Sequence, residues 1–162
     1  MIRSEAAATS PGARDGAMVR RLDGFQALGM MAALAMKCRY REWSVADLEI
    51  NVLPALRCGQ SKIYLDPEQR PMGFLTWALV DDECHHALMM EGRNPPDDRW
   101  CSGPYLWFVD IVSPFGSLYP IVRDMQRNGF PGFARAYSIK RNAAGEIVRV
   151  NVWRNLGAAR ED

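Results

Sequence analysis

The 162 residues predict an α/β (α+β) domain in which helices pack on a central mixed sheet. Three observations carry that expectation. Two segments in the first third place apolar residues at helical spacing behind residues suited to capping. At Gly59 the pattern changes to short apolar runs separated by turn residues. Beyond them, Tyr105–Val112 is strongly apolar with one acid, Asp110, and two more strand patterns follow. A chain of this length suits one core, which buries roughly 70% of the surface its unfolded form exposes.

Residues 1–21 are rich in Ala, Gly, Ser and Arg without apolar periodicity and read as a flexible tail. Asp23 suits the N-cap of a first helix over 24–38. Its apolar residues are Phe25, Leu28, Met31, Leu34 and Ala35, with Gly29, Ala32 and Ala33 small enough for close packing. Ser44 caps a second helix with Val45, Leu48, Val52 and Leu56 on one face, and Pro54 should interrupt it because proline has no backbone N–H. Gly59 ends that helix. Lys62–Leu65 and Met72–Val80 read as the strands of a hairpin around residues 66–70. Asp81–Met90 reads as a helix, residues 92–98 as a loop and Tyr105–Val112 as a strand. Pro114-Phe115-Gly116 turns the chain into a helix near Leu118–Arg127. Phe133–Lys140 and Ile147–Trp153 close the sheet, joined by Asn142-Ala143-Ala144-Gly145. The domain thus runs over 22–156, with 157–162 a second short tail.

Apolar residues make up 48% and the formal charge is +1, so no overall field marks a binder of nucleic acid or membranes. No segment reaches the ~18 apolar residues of a membrane span, and none has signal-peptide character. Cys38, Cys58, Cys84 and Cys101 show neither a CxxC pair nor zinc-ligand spacing. They read as reduced thiols of a cytoplasmic protein without a metal site. The charge is nonetheless uneven. Eight acids lie between Asp66 and Asp98, whereas 117–160 carries eight bases against Asp124 and Glu146. A basic stretch of this kind is either a solvated face or a dock for an acidic partner.

Few residues announce chemistry by themselves. His85 and His86, the two histidines, sit on the expected helix after Trp77, and nothing in their spacing brings them to another reactive group. Cys38 and Cys101 lack a histidine partner in sequence, so a cysteine nucleophile is not expected. Met30-Met31 and Met89-Met90 are either core or an adaptable lining for a flexible chain.

A series of short strings adds more. Leu28-Gly29 leads to Arg41-Glu42-Trp43, and Ile50-Asn51-Val52-Leu53-Pro54-Ala55 follows. Gln60, the hairpin to Pro71, Thr76-Trp77-Ala78, Trp100, Ser102-Gly103, Trp107-Phe108-Val109-Asp110 and Ser113-Pro114-Phe115-Gly116 complete it. In order and spacing this series resembles the RTX toxin-activating lysine acyltransferases, a branch of the GNAT-like fold, with this chain a divergent short member. The family has Arg-Asn-Trp or Arg-Asp-Trp at the first string and matches the second almost letter for letter. The resemblance ends near Trp153.

The resemblance implies an N-acyltransferase that moves a fatty acyl group from an acyl-carrier-protein phosphopantetheine thioester, or acyl-CoA, to a lysine-type amine. The implied acceptor is a protein toxin or a ribosomal peptide, with ornithine admitted as well as lysine. The implied partners are the acyl carrier protein and that acceptor; a homodimer is admitted, and no permanently bound cofactor is implied. The family's aspartate falls on Asp110, and its histidine falls on Tyr40, the largest departure. A carboxylate inside an apolar strand is desolvated, which raises its pKa towards values useful to a base. A phenol is a poor base near neutrality but a donor or acid. Tyr40 would then protonate the leaving thiol or orient the carbonyl while Asp110 takes the amine proton. Asn51 and Ser113 are the candidate substrate-binding residues; Asn51 reads equally as structural support for the backbone near Pro54, and Ser113 and Ser102 are both oxyanion candidates. Phe115-Gly116-Ser117 is a faint candidate for donor phosphate. Two other readings stand beside this one: a small-molecule GNAT acetyltransferase using acetyl-CoA, and an inactive homologue that binds carrier or peptide.

Overall fold

The computed structural model describes residues 6–9, 20–116 and 118–155. Its sheet has seven strands in the order β2-β1-β3-β4-β5-β6-β7, with helices on both faces. β1 (Ala6–Thr9) and β2 (Arg20–Leu22) form in the segment read as a tail: β1 pairs antiparallel with β2 and parallel with β3, Ala7 opposite Lys62. Those stretches are sheet rather than tail. The remainder of the 1–21 expectation, and that for 157–162, lie outside the described residues.

Local chemistry explains most element boundaries. α1 (Gly24–Ala35) starts at Asp23, whose side chain accepts from the Gln26 amide while Gln26 reaches back to the Asp23 amide. The helix buries Ala27, Met31 and Leu34 but leaves Phe25 exposed, and it stops three residues earlier than periodicity suggests. A single 3-10 turn, Arg39–Glu42, follows. Ser44 and Asp47 form a second capping box at α2 (Val45–Asn51). The chain then breaks at Val52 and resumes as α3 (Leu53–Arg57), with Pro54 in its first turn where a missing N–H costs nothing. Val52 and Leu56 are buried as expected and Leu48 packs against the same core, but Val45, the first residue of α2, faces solvent.

Gly59 takes a left-handed conformation and starts β3 (Ser61–Leu65), which pairs with β4 (Pro71–Val80). Asp81 caps α4 (Asp82–Glu91), closed by Gly92 at φ 63°. β5 (Tyr105–Val112) pairs antiparallel with β4, and α5 (Tyr119–Asp124) continues into one π-turn, Met125–Gly129. β6 (Arg135–Arg141) runs parallel to β5, and β7 (Ile147–Arg154) pairs back on it as the edge strand.

The core has two layers. Helices α1–α4 cover one face through Met31, Leu34, Leu56, Phe74, Leu88 and Trp107. On the other, Leu75, Leu106 and Phe108 pack with Ile121 and Met125. No helix among the described residues is long and apolar enough to cross a membrane.

Candidate active site

The face of the sheet on which each β5 side chain lies determines the site. Leu106, Phe108 and Ile111 pack into the α5 layer, whereas Trp107, Val109 and Val112 pack under α1–α4. Strict alternation would send Asp110 towards α5. Instead the ladder shifts between Thr76 and Trp77, which pair with Asp110 and Phe108, so Val109 is a bulged residue without its own partner. Val109 and Asp110 therefore both lie on the α1–α4 side. Thr76 anchors the bulge, its Oγ1 accepting the Asp110 amide at 3.2 Å.

A second irregularity opens space beside that carboxylate. β5 and β6 are in register only at Trp107↔Tyr137 and Phe108↔Ser138; beyond them the strands part. A cavity of about 390 Å³ lies where they diverge, within the range of small-molecule sites. Arg39, Tyr40, Asn51, Asn94, Asp110 and Arg141 supply its polar lining, and Trp43, Trp107 and Phe108 much of its apolar wall.

The structure brings Tyr40 and Asp110 together. The 3-10 turn after α1 carries Tyr40, held by stacking on Trp43 with ring centroids 4.2 Å apart. Its hydroxyl donates to Asp110 Oδ1 at 2.7 Å and accepts from Arg39 Nη2 at 3.2 Å. Burial pushes the Asp110 carboxyl above the usual aspartate range, while the Tyr40 hydroxyl and the Arg39 and Arg141 charges pull back more weakly. Burial and the neighbouring carboxylate also push the Tyr40 phenol upward, so it remains a donor throughout the neutral range.

Asn51 lines the cavity, but both ends of its amide are engaged. Nδ2 donates to the Asp47 carbonyl at 2.8 Å, and Oδ1 accepts from Asn94 Nδ2 at 2.9 Å, which ties the loop after α4 to α2. Ser113 follows β5 beside Gly73 and is not part of the lining. Ser102 is structural: its Oγ accepts from the Asp81 amide and donates to the Arg99 carbonyl. His85 packs between Tyr105 and Tyr137 and accepts the Trp107 indole N–H at 3.0 Å, so it braces the wall from behind. Its burial holds the imidazole below its ordinary pKa, hence neutral. Met31 is core, but Met89 and Met90 are exposed and form neither core nor chamber. Phe115 is exposed, and Ser117 lies outside the described residues. The Cys38 thiol donates to the Ala35 carbonyl and has no histidine beside it.

Arg39, Asn94 and Arg141 carry the geometry without having stood out in sequence, and Thr76 had stood out only as part of a matching string. Arg141 bridges the Gly92 and Gly145 carbonyls at 2.5 and 3.1 Å, fastening the β6–β7 hairpin to the end of α4. Adjacency to Tyr40 was the one signal for Arg39. Among the described residues, no group of three or more His, Cys, Asp or Glu side chains is placed to hold a metal.

These features define a mixed α/β domain, compatible with a GNAT-like arrangement, whose parted strands flank a cavity containing a desolvated carboxylate. The chain belongs to the RTX toxin acyltransferase family, whose profile matches residues 20–154. It is 33% identical over 115 residues to the RTX-I toxin-activating lysine-acyltransferase of Actinobacillus pleuropneumoniae, covering 70% of this chain and 66% of that protein. It is 34% identical over 110 residues to the leukotoxin-activating lysine-acyltransferase of Aggregatibacter actinomycetemcomitans, covering 67% and 64%. A protein-lysine myristoyltransferase of Kingella kingae is 25% identical over 138 residues, covering 85% and 82%. The chain thus spans just under two thirds of the first two relatives it matches.

Proposed function

We propose that the cavity is an amine-acylation site. The chain takes a fatty acyl group from the phosphopantetheine thioester of an acyl carrier protein and transfers it to a lysine-type amine of a protein or peptide. The observation that carries this reading is the Tyr40–Asp110 pair at the point where β5 and β6 part. Similarity to lysine acyltransferases supports the acceptor chemistry.

A lysine with a pKa near ~10.4 is about 0.04% neutral at pH 7, a deficit of roughly 4.6 kcal/mol for an amine nucleophile. The site must therefore favour loss of the amine protons. Asp110 Oδ1 is occupied by Tyr40, and no described residue donates to Oδ2. The first ammonium proton leaves to bulk water, and Oδ2 accepts the second as the nitrogen attacks the thioester carbon and the C–N bond forms. Collapse breaks the C–S bond, and the same proton passes from Asp110 to the departing thiolate, restoring the carboxylate. A carboxyl with a raised pKa suits both halves of that exchange. Tyr40 has its single proton committed to Asp110, so it orients the base; it does not itself protonate the thiolate. Arg39 and Arg141 place positive potential where the carbonyl oxygen gains charge.

The test is intact-mass spectrometry of an acceptor incubated with this chain and acyl carrier protein, beside Asp110→Ala. A mass increase equal to the acyl group, lost in the variant, is expected. An unmodified acceptor with folded enzyme and loaded carrier would remove the donor reading, and transfer from acetyl-CoA alone would replace it.

A further inference from the structure

Apart from Arg141, the β6–β7 hairpin carries charges that the transfer chemistry does not use. From Arg135 to Arg154 it has five cations, Arg135, Lys140, Arg141, Arg149 and Arg154, against one acid, Glu146. That acid is occupied by Asn142, whose Nδ2 donates to it at 2.7 Å. Register places two like-charged pairs directly across the strands, Lys140 opposite Arg149 and Arg135 opposite Arg154. Like charges in that position destabilise a ladder. None of the five has an ion-pair partner among the described residues, although acids elsewhere are paired: Asp66 with Arg70, Asp81 with Arg99, Asp97 with Arg57 and Asp124 with Lys62. Lys140, Arg149, Arg135 and Arg154 are all exposed.

The hairpin is also part of the cavity. Ile139, Arg141, Asn142, Ala143 and Gly145 line it, and Arg141 locks the turn against α4. A partner lying along the hairpin tip would therefore present whatever it carries at the opening beside Asp110. We propose that the tip of the β6–β7 hairpin, with Lys140 and Arg149 at its base, is the docking surface for an acidic carrier protein that delivers the acyl thioester. This rests on the carrier-donor reading above. Charge complementarity selects the partner: an uncompensated basic ladder gains what it lacks from carboxylates, and an acidic surface is steered to it at low salt.

Lys140→Glu and Arg149→Glu, singly and together, are compared with wild type in binding holo acyl carrier protein and in acyl transfer. Transfer is measured from the carrier and from acyl-pantetheine, a donor with no protein. Lys140→Glu alone places opposite charges across the ladder, so its melting temperature should hold or rise; weaker docking then cannot come from unfolding. The expected result is at least about a tenfold loss of carrier affinity in the double variant, with a shallower salt dependence. Transfer from acyl-pantetheine should be unchanged. Equal carrier binding by wild type and the double variant overturns the docking surface, as does failure of wild type to bind the carrier. Carrier binding that the variants lose, without transfer from any donor, keeps the docking surface and removes the donor reading instead.

Discussion

The Tyr40 hydroxyl donates to Asp110 Oδ1 at 2.7 Å, joining the turn after α1 to the bulge in β5. A position where the resemblance places a histidine is here filled by a group that holds its proton. Its upward-shifted pKa keeps it a donor, and Arg39 occupies one of its acceptor sites. The pair therefore presents one carboxylate held in a fixed orientation.

Asp110→Asn should lower kcat by about 10²–10⁴-fold, the range lost when a positioned base is removed. The same change should raise the melting temperature near neutrality. Folded Asp110 holds its proton more tightly than an aspartate in the unfolded chain, because burial disfavours the charge. Stability is therefore lost as pH rises from about 4 through the folded value, and the cost is absent below that window. Paired melting curves at pH 4 and pH 7.5 check it. A variant no more stable than wild type at the higher pH would contradict the desolvated-charge account.

Tyr40→Phe removes a hydrogen bond that favours ionised Asp110, so the carboxyl pKa should rise further. The acid limb of the pH–rate profile should move to higher pH. Near neutrality kcat should fall by about ten- to a hundredfold, as expected for a hydrogen bond to a charged group of roughly 1.5–3 kcal/mol. Tyr40→His keeps a ring donor at the position and should recover more activity than Phe. An unmoved acid limb in Tyr40→Phe would mean that the phenol does not tune Asp110.

Arg39 acts on both groups, donating to Tyr40 and lowering the Asp110 pKa through its charge. Arg39→Gln should shift the acid limb in the same direction as Tyr40→Phe, while Arg39→Lys should return it part of the way. Because Arg39 is exposed, the shift should shrink as salt rises. Profiles recorded at 50 and 500 mM salt separate that charge effect from a packing defect, which salt would not relieve.

Much of the scaffold was readable locally. Asp23 and Ser44 cap α1 and α2 because each is followed three residues later by a side chain that returns the bond. Gly59 ends the helical region because it alone there adopts positive φ. What depends on strand partners was not readable. The bulge at Val109 exists only relative to β4, so the apolar run around Asp110 does not disclose which face the acid takes. The strands found at Ala6–Thr9 and Arg20–Leu22 likewise owe their form to pairing, not to periodicity. Tyr40 and Asp110 entered through resemblance, whereas Asn94 and Arg141 come from loop ends that only the tertiary fold brings to the cavity.

Thr76 tests whether the bulge itself matters. Its Oγ1 accepts the Asp110 amide, and both residues are buried, so Thr76→Val keeps the shape and removes that acceptor from the Asp110 N–H. The expected cost is about 1–3 kcal/mol of stability, read by denaturant unfolding with an unchanged m-value. Activity should fall more than stability alone explains, because the amide that fixes Asp110 on the cavity side loses its anchor. If the variant is destabilised but keeps full kcat at a temperature where it is folded, the bulge holds Asp110 without Thr76, and the parting of β5 from β6 alone shapes the site.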